Sequence, residues 1–215
     1  MPSRAGYRRR MQAWGEAVWA GPRWETFLRG VVKRALAGDE TQPWWMPRRV
    51  LTVVSADVDD TAGVGAIWIL WRPKSSRIRE YIALLEWFGE QWRYVGGSSG
   101  SGDDPVDVDV LDVSNGGGVL SLTRSLDPPR SITAAPWISC VKVCLGRDVS
   151  HVLIGVRRIE VSEQRSLIAV WTSPQISRGV RPLIVALGRD GAELSRIGPH
   201  DSLDTHTWAR LREEL

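Results

Sequence analysis

Hydrophobic residues recur at helical spacing near the start of the chain, in two stripes. The members of the first stripe are four, three and four residues apart: Tyr7, Met11, Trp14 and Val18. The second stripe comprises Trp24, Phe27 or Leu28, Val31 and Ala35. Each stripe places apolar side chains on one face of a helix. Pro22 suits the first turn of a new helix and Gly38 a C-cap, so the pattern predicts a helical hairpin or a kinked helix.

The helical spacing ends at residues 43–47, where two prolines disfavour helical geometry. Strand patterns follow. Residues 50–58 and 64–71 are rich in Val, Ile and Trp and flank turn residues, so we expect them to pair as a hairpin. Residues 81–96 predict a second hairpin around Gly89 and Glu90, because glycine at the first turn position is typical of a type II′ turn.

A run dominated by glycine and serine, residues 97–105, has no side chain able to build a core, and we interpret it as a linker or exposed loop. It separates a region at 1–96 from a region at 106–215. Short strand-like runs follow it at 106–113, 119–123, 137–145, 152–161, 167–172, 183–187 and 194–197, and 207–215 has the pattern of a short helix. The expected fold class is α+β, mostly antiparallel β: a helical hairpin on a β meander, then a β-sandwich-like half.

Composition indicates a folded protein, with 43% hydrophobic and 25% charged residues. The longest apolar run has eight residues, whereas a membrane-spanning helix needs about 20. The N-terminal residues lack the apolar stretch of a secretory signal. Cys140 and Cys144 lie on one predicted strand at a separation of about 13 Å, too far for a disulfide. We therefore expect free thiols in a cytoplasmic protein without membrane contact.

Clustered aspartates are the strongest indication of catalysis. Asp57, Asp59 and Asp60 lie at the end of a predicted strand, and a second cluster follows the glycine run: Asp103, Asp104, Asp107, Asp109 and Asp112. Such oxygen ligands suit Mg²⁺ or Ca²⁺, although neither cluster has the glycine and glutamate spacing of an EF-hand. In the second cluster, aspartates alternate with valines, which is also typical of the exposed face of a strand.

Other catalytic chemistry lacks necessary parts. Cys140, Cys144 and His151 do not supply the two close ligand pairs of a structural zinc site. The serines lack a G-x-S-x-G elbow, and neither glycine-rich run, at 96–102 or 116–118, precedes the Lys-Ser/Thr pair of a phosphate-binding loop. We interpret these two runs as a flexible loop and a tight turn. The sequence predicts no cofactor and favours a protein without catalytic activity.

The excess of positive charge is confined to the first 50 residues. They hold ten Arg or Lys and four Asp or Glu, a balance of +6, whereas residues 51–215 have a balance of −3. Basic side chains on a helix can neutralise phosphates or an acidic protein surface. The candidate contacts are Arg8, Arg9, Arg10, Lys33 and Arg34.

The chain has twelve tryptophans, and two of them, Trp44 and Trp45, are adjacent between the prolines. At least one of these rings should be hard to bury, and Trp favours interfaces. The sequence therefore predicts a non-catalytic interaction protein that binds another protein, with weak binding of nucleic acid or another polyanion as a second possibility. The alternative is a divalent-cation-dependent hydrolase that uses Asp57, Asp59 and Asp60 to activate water.

Overall fold

The computed structural model describes residues 22–102, 108–125, 135–161, 163–178 and 180–214. This part of the chain is mostly antiparallel β. Its elements are α1 (Pro22–Ala37), β1 (Leu51–Asp59), β2 (Val64–Trp71), β3 (Arg79–Phe88), β4 (Gln91–Ser101), β5 (Leu111–Leu120), β6 (Trp137–Leu145), β7 (His151–Ile154), β8 (Arg157–Glu160), β9 (Ser166–Ser173), β10 (Ile184–Leu187), β11 (Glu193–Ile197) and α2 (Thr205–Glu213). Short 3₁₀ helices span Leu122–Ser125 and Gln175–Ser177.

Helix α1 forms where the second apolar stripe predicts it. Trp24, Phe27, Leu28, Val31 and Val32 are buried along one face. Gly38 has φ +71°, and its N–H donates to Ala35 while the N–H of Asp39 donates to Arg34 (3.1 and 2.9 Å). These two bonds form a Schellman C-cap, which requires a left-handed residue where glycine has no steric cost. The first stripe lies outside the described residues, as do Arg8, Arg9 and Arg10.

Strands β1 to β4 form a meander, sheet A, in the order β1-β2-β3-β4. Both predicted hairpins are present in it. The turn between β3 and β4 differs from the expected type, because Gly89 and Glu90 both have positive φ, +59° and +64°. Positive φ at both central positions is typical of a type I′ turn, which matches the twist of a hairpin as well as type II′ does.

The glycine and serine run is not a linker at residues 97–101, because these residues are the second half of β4. Gly97 pairs with Ala83, and Ser101 with Arg79. A Cβ on Gly97 would lie 2.0 Å from the carbonyl oxygen of Ile82, so the strands approach more closely than a side chain would allow. Glycine is therefore needed here for the close approach of the β3 and β4 backbones, not for a flexible loop.

The second glycine run is likewise part of a strand rather than a turn. The predicted strands at 106–113 and 119–123 are replaced by the single strand β5, with a bulge between Asn115 and Gly117. A Cβ on Gly116 would meet the Sγ of Cys140 at 2.7 Å, and one on Gly118 would meet the indole nitrogen of Trp137 at 2.4 Å. These glycines let β5 approach its paired neighbour β6 closely.

The remaining strands form two further sheets. Sheet B has the order β5-β6-β9, and sheet C has the order β11-β10-β7-β8. The predicted strand at 152–161 is a hairpin of β7 and β8, since Gly155, with φ +60°, turns the chain. The predicted C-terminal helix is α2, capped by the carboxylate of Asp204, which accepts from the N–H groups of His206 and Thr207.

Three buried cores separate α1, sheet A, sheet B and sheet C into successive layers. The first core lies between α1 and sheet A and includes Leu28, Ile67 and Ile69. The middle core joins sheet A to sheet B, with members such as Trp68, Leu84, Ile138, Ile168 and Val170. The third core joins sheet B to sheet C. Residues from the regions predicted at 1–96 and 106–215 therefore share the middle core.

Candidate binding groove

A β-turn at residues 43–46 presents Trp44 and Trp45 as its two central residues. The N–H of Met46 donates to the carbonyl of Pro43 (3.0 Å), which closes the turn. Proline fixes φ at both ends of this segment, at Pro43 and Pro47. The indole of Trp44 projects into solvent, with 88% of the residue exposed, and Trp45 is 54% exposed. The structure thus places both predicted partner-binding tryptophans at the surface.

A buried glutamine ties this turn to sheet A. The side-chain amide nitrogen of Gln42 donates to the carbonyls of Met46 (2.7 Å) and Leu51 (3.2 Å), and its oxygen accepts from the N–H of Val53 (2.9 Å). Three bonds from one buried side chain fix the turn against the first residues of β1. The segment that carries the two exposed tryptophans is therefore held in one conformation. Less conformational entropy would be lost if a partner bound to it.

The turn and α1 enclose a groove of about 530 Å³. We call it the aromatic groove, and its lining residues are Arg23, Thr26, Phe27, Gly30, Arg34, Pro43 and Trp45. This volume lies within the range of sites that hold small molecules. The structure thus brings two of the predicted binding residues, Arg34 and Trp45, into one concave surface.

Aromatic rings form the floor and one wall of the groove. Phe27 stacks on Trp24 with ring centroids 5.2 Å apart and an interplanar angle of 15°. Trp45 meets the other side of Phe27 edge to face, at 6.2 Å and 83°. Both arrangements are favourable for aromatic quadrupoles. The buried ring of Phe27 therefore anchors the exposed ring of Trp45, so that the apolar surface of the groove keeps its shape.

Gly30 lies beside the groove at the middle of α1. A Cβ built on Gly30 meets no atom of the described residues within 4 Å, so the space beside Gly30 is open with respect to this part of the chain. Glycine in a helix interior is unfavourable by roughly 0.5 to 1 kcal/mol relative to alanine. Nothing in the packing of the described residues demands glycine at this position, so a larger side chain could be placed there to fill the groove.

The basic side chains around the groove differ in how they are engaged. Arg29 donates to Gln91 of β4 (3.0 Å) and pairs with Glu25 (3.2 Å), so it holds α1 against sheet A. Within the part of the chain that the structure describes, no carboxylate forms an ion pair with Arg23, Lys33 or Arg34. Lys33 is exposed on α1 but does not line the groove. Arg23 and Arg34 are thus the cations that face its interior.

Sequence reasoning missed Arg23 and Gly30, and took Phe27 only as core. The spacing that reveals them is helical: residues 23, 27, 30 and 34 are four, three and four apart and share a face of α1. This face adjoins the buried stripe, and its mixture of Arg, Phe and Gly does not resemble a solvated helix face. The pattern of hydrophobic residues alone does not reveal this face of α1.

The candidate metal site is occupied by an arginine. Arg157 donates through Nη1 to Oδ1 of Asp57 (3.0 Å) and through Nη2 to Oδ2 (2.9 Å), and Oδ2 also accepts from the N–H of Val170 (2.8 Å). The Nε of Arg157 lies 3.9 Å from Asp59. Asp60 is exposed in the turn after β1. A guanidinium therefore neutralises the two carboxylates that a divalent cation would need.

The other aspartates do not join this cluster among the described residues. Asp109 forms an ion pair with Arg210 of α2, while Asp103, Asp104 and Asp107 lie outside the description. The described ranges contain no group of three His, Cys, Asp or Glu side chains placed to hold a metal ion.

The two thiols are separate and inert. Cys140 is buried between sheets A and B, and burial raises the pKa of its thiol to about 12. Burial also raises the pKa of Cys144, four residues further along β6. The cysteines are unpaired, as their strand spacing predicts. A protonated, buried thiol is neither a nucleophile nor a metal ligand.

Comparisons with known proteins give no family to which these features could be assigned. No helix among the described residues is long and apolar enough to span a membrane. Searches of protein-family models, of curated proteins and of solved structures find no match for this chain.

Proposed function

We propose that this protein is a non-catalytic interaction protein that binds a segment of another protein in the aromatic groove. The observation that carries the proposal is the arrangement of Trp44 and Trp45 on a turn pinned by Gln42, beside a groove of about 530 Å³ on α1. Trp and Arg are enriched where protein partners bind, and rigid aromatic anchors contribute most of the binding energy. An indole that is 88% exposed buries little apolar surface on folding, so its surface is accessible to a partner.

The residues that line the groove support binding rather than catalysis. None of the seven is His, Cys, Asp or Glu, the residue types that usually transfer protons or attack a substrate. Thr26 supplies a hydroxyl, and none of the described lining residues is a base that could activate it. The groove can contribute apolar area, aromatic faces and positive charge, and these are properties of a recognition surface.

A polyanion is a second possible ligand, favoured by the basic first 50 residues. Its contacts would include Arg8, Arg9, Arg10, Lys33 and Arg34. A protein segment fits the groove better, because an apolar floor and a concave shape add nothing to neutralising phosphates. The alternative of a divalent-cation-dependent hydrolase would require Asp57 to exchange Arg157 for a metal ion.

We further infer a cytoplasmic setting for this interaction, since two unpaired cysteines suit a reducing compartment. Residues before Pro22 would form the first arm of a helical hairpin with α1, and sheets B and C would form a β-sandwich. The division of the chain into regions at 1–96 and 106–215 stays a prediction. The proposal of binding in the aromatic groove rests on the described residues of α1 and the turn alone.

The proposal is tested by capture with matched variants at one position. Gly30→Leu should fill the open space beside α1, whereas Gly30→Ala adds a single methyl group, and neither meets another atom at Cβ. Tagged wild-type protein and both variants are cross-linked in a lysate of the source organism, and the captured proteins are quantified by mass spectrometry. We expect a partner that the wild type and Gly30→Ala retain and Gly30→Leu loses. Identical captured sets for all three proteins would contradict the proposal.

A further inference from the structure

The two cations of the aromatic groove lie at its opposite ends. Arg23 and Arg34 both line it, and they are eleven residues apart on α1. Eleven residues of α-helix correspond to about three turns and to roughly 16 Å along the axis, so both side chains emerge on the same face. A ligand that reaches both guanidinium groups must therefore be elongated. A compact anion, such as a single phosphate, would contact only one of them.

The surface between the two arginines is apolar. Phe27 forms the floor, Pro43 and Trp45 form the wall towards the turn, and Gly30 leaves room at the centre. An extended peptide advances about 3.3 Å per residue, so four or five residues span the distance between the arginines. Its central side chain would then lie over Gly30 and beside the rings of Phe27 and Trp45.

We propose that the aromatic groove recognises an extended peptide segment with a carboxylate at each end and a large apolar residue between them. This inference rests on the proposed function and specifies the class of partner. Charge complementarity supports it, because within the described residues Arg23 and Arg34 have no carboxylate partner of their own. Arginine also binds carboxylates in a bidentate manner, which fixes the position of both ends of the segment.

The chain's own N-terminal segment does not have this chemistry. Residues 1–21 contain four arginines and one glutamate, Glu16. Like charges within a groove oppose docking, so this segment is a poor occupant beside Arg23 and Arg34. The occupant is instead an acidic segment of a different protein.

Fluorescence anisotropy of labelled peptides on the full-length protein tests the spacing and the charge together. The probe is Ser-Glu-Gly-Phe-Gly-Glu-Ser, blocked at both ends. One control replaces both glutamates by glutamine, and another keeps the composition but places the glutamates next to each other. If each exposed ion pair contributes about 0.5 to 1 kcal/mol, the neutral peptide should bind roughly 5- to 30-fold more weakly. The peptide with adjacent glutamates can reach only one of the two arginines. Its affinity should therefore lie about midway, on a logarithmic scale, between those of the probe and the neutral peptide.

Variants of the protein locate the two contacts. Arg23→Gln and Arg34→Gln should each weaken the probe roughly 2- to 5-fold, whereas Arg212→Gln, an exposed cation on α2, should leave its affinity unchanged. In a double-mutant cycle, Arg23→Gln should have no effect on a probe that lacks the glutamate facing it. Equal binding of the acidic and neutral probes would overturn the inference, and so would a loss with Arg212→Gln equal to that with Arg23→Gln.

Selection from a random heptapeptide display library separates this inference from the proposed function. Peptides that bind the wild type are counter-selected against the Gly30→Leu variant, and those that bind only the wild type are called groove-dependent. Enrichment of peptides with two acids around an apolar residue supports the inference. Enrichment of groove-dependent peptides without Asp or Glu would overturn the inference, while the proposed function would stand. Enrichment of no groove-dependent peptide overturns it too, and the capture experiment then decides the proposed function separately. A ten-nucleotide oligothymidylate that binds the groove more tightly than any peptide would also overturn it, in favour of nucleic acid.

Discussion

Arg157 forms a bidentate ion pair with Asp57, a residue 100 positions earlier in the chain, at 3.0 and 2.9 Å. The pair connects β8 of sheet C to β1 of sheet A. Arg157 also donates to the carbonyl of Val170, and Asp57 accepts from the N–H of the same residue, so β9 of sheet B joins the network. One arginine and one aspartate thus link all three sheets.

Removing one member of this pair should destabilise the fold. Asp57→Ala removes the bidentate carboxylate partner of Arg157, which is partly buried, and leaves the buried N–H of Val170 without its acceptor. We expect a loss of about 2 to 4 kcal/mol in the free energy of unfolding, measured by urea denaturation. Arg196→Ala, which breaks the exposed pair with Glu193, should cost less than about 0.5 kcal/mol. Equal effects of the two variants would show that the network does not stabilise the protein.

The same pair predicts that divalent cations have no effect on stability. A metal ion that bound only the folded protein would raise the melting temperature, by an amount that grows with the logarithm of its concentration above the dissociation constant. Since Arg157 already neutralises Asp57 and Asp59, the melting temperature should be the same in EDTA and in millimolar Mg²⁺ or Ca²⁺. An increase with Mg²⁺ that Asp57→Asn abolishes would instead support the hydrolase alternative.

Gln42 should matter for both stability and binding. Gln42→Ala removes three hydrogen bonds and leaves the N–H of Val53 buried without a partner, so we expect a loss of about 2 to 3 kcal/mol in unfolding free energy. The turn that carries Trp44 would also loosen, and a partner captured by the wild type should bind more weakly. Glu40→Ala, at an exposed ion pair nearby, is the control and should change neither quantity. A stable Gln42→Ala protein would refute the role of Gln42.

Cys140 predicts a fall in stability at alkaline pH. Burial raises the pKa of its thiol from 9.0 to about 12, so between these values the unfolded chain releases a proton that the folded protein keeps. The contribution of this thiol to the free energy of unfolding is therefore fully present below pH 9, and the free energy of unfolding declines as pH rises towards 12. Cys140→Ala should show a smaller decline in urea denaturation over the same range. Iodoacetamide at pH 8 should modify Cys140 only after unfolding, and rapid native labelling of Cys140 would contradict this.

The local features of the fold could be predicted from the sequence, because helix stripes and hairpins depend on nearby residues. The stripe from Trp24 to Ala35 predicts α1, and the hairpin around Gly89 is present with a different turn type. The glycine runs were misinterpreted. Composition shows that Gly97 and Gly116 lack side chains, but not that Ile82 and Cys140 lie against them.

The site was only partly predictable, for the same physical reason. Exposure of Trp44 and Trp45 follows from their position between prolines. The groove itself depends on how the turn folds against α1, which brings Trp45 to Phe27 across 18 positions. The pair of Asp57 and Arg157 depends on the packing of separate sheets, and no spacing in the sequence encodes it.

Hydroxyl-radical footprinting of the captured complex tests the central claim, that partners bind at the aromatic groove, most directly. Free protein should be oxidised at Trp44, Trp45 and Trp208, which are 88%, 54% and 46% exposed. In the complex, we expect several-fold protection of Trp44 and Trp45 and unchanged oxidation of Trp208 on α2, because only the first two adjoin the groove. Unchanged oxidation of Trp44 and Trp45 in the complex, with protection elsewhere, would contradict the claim and place the partner on another surface.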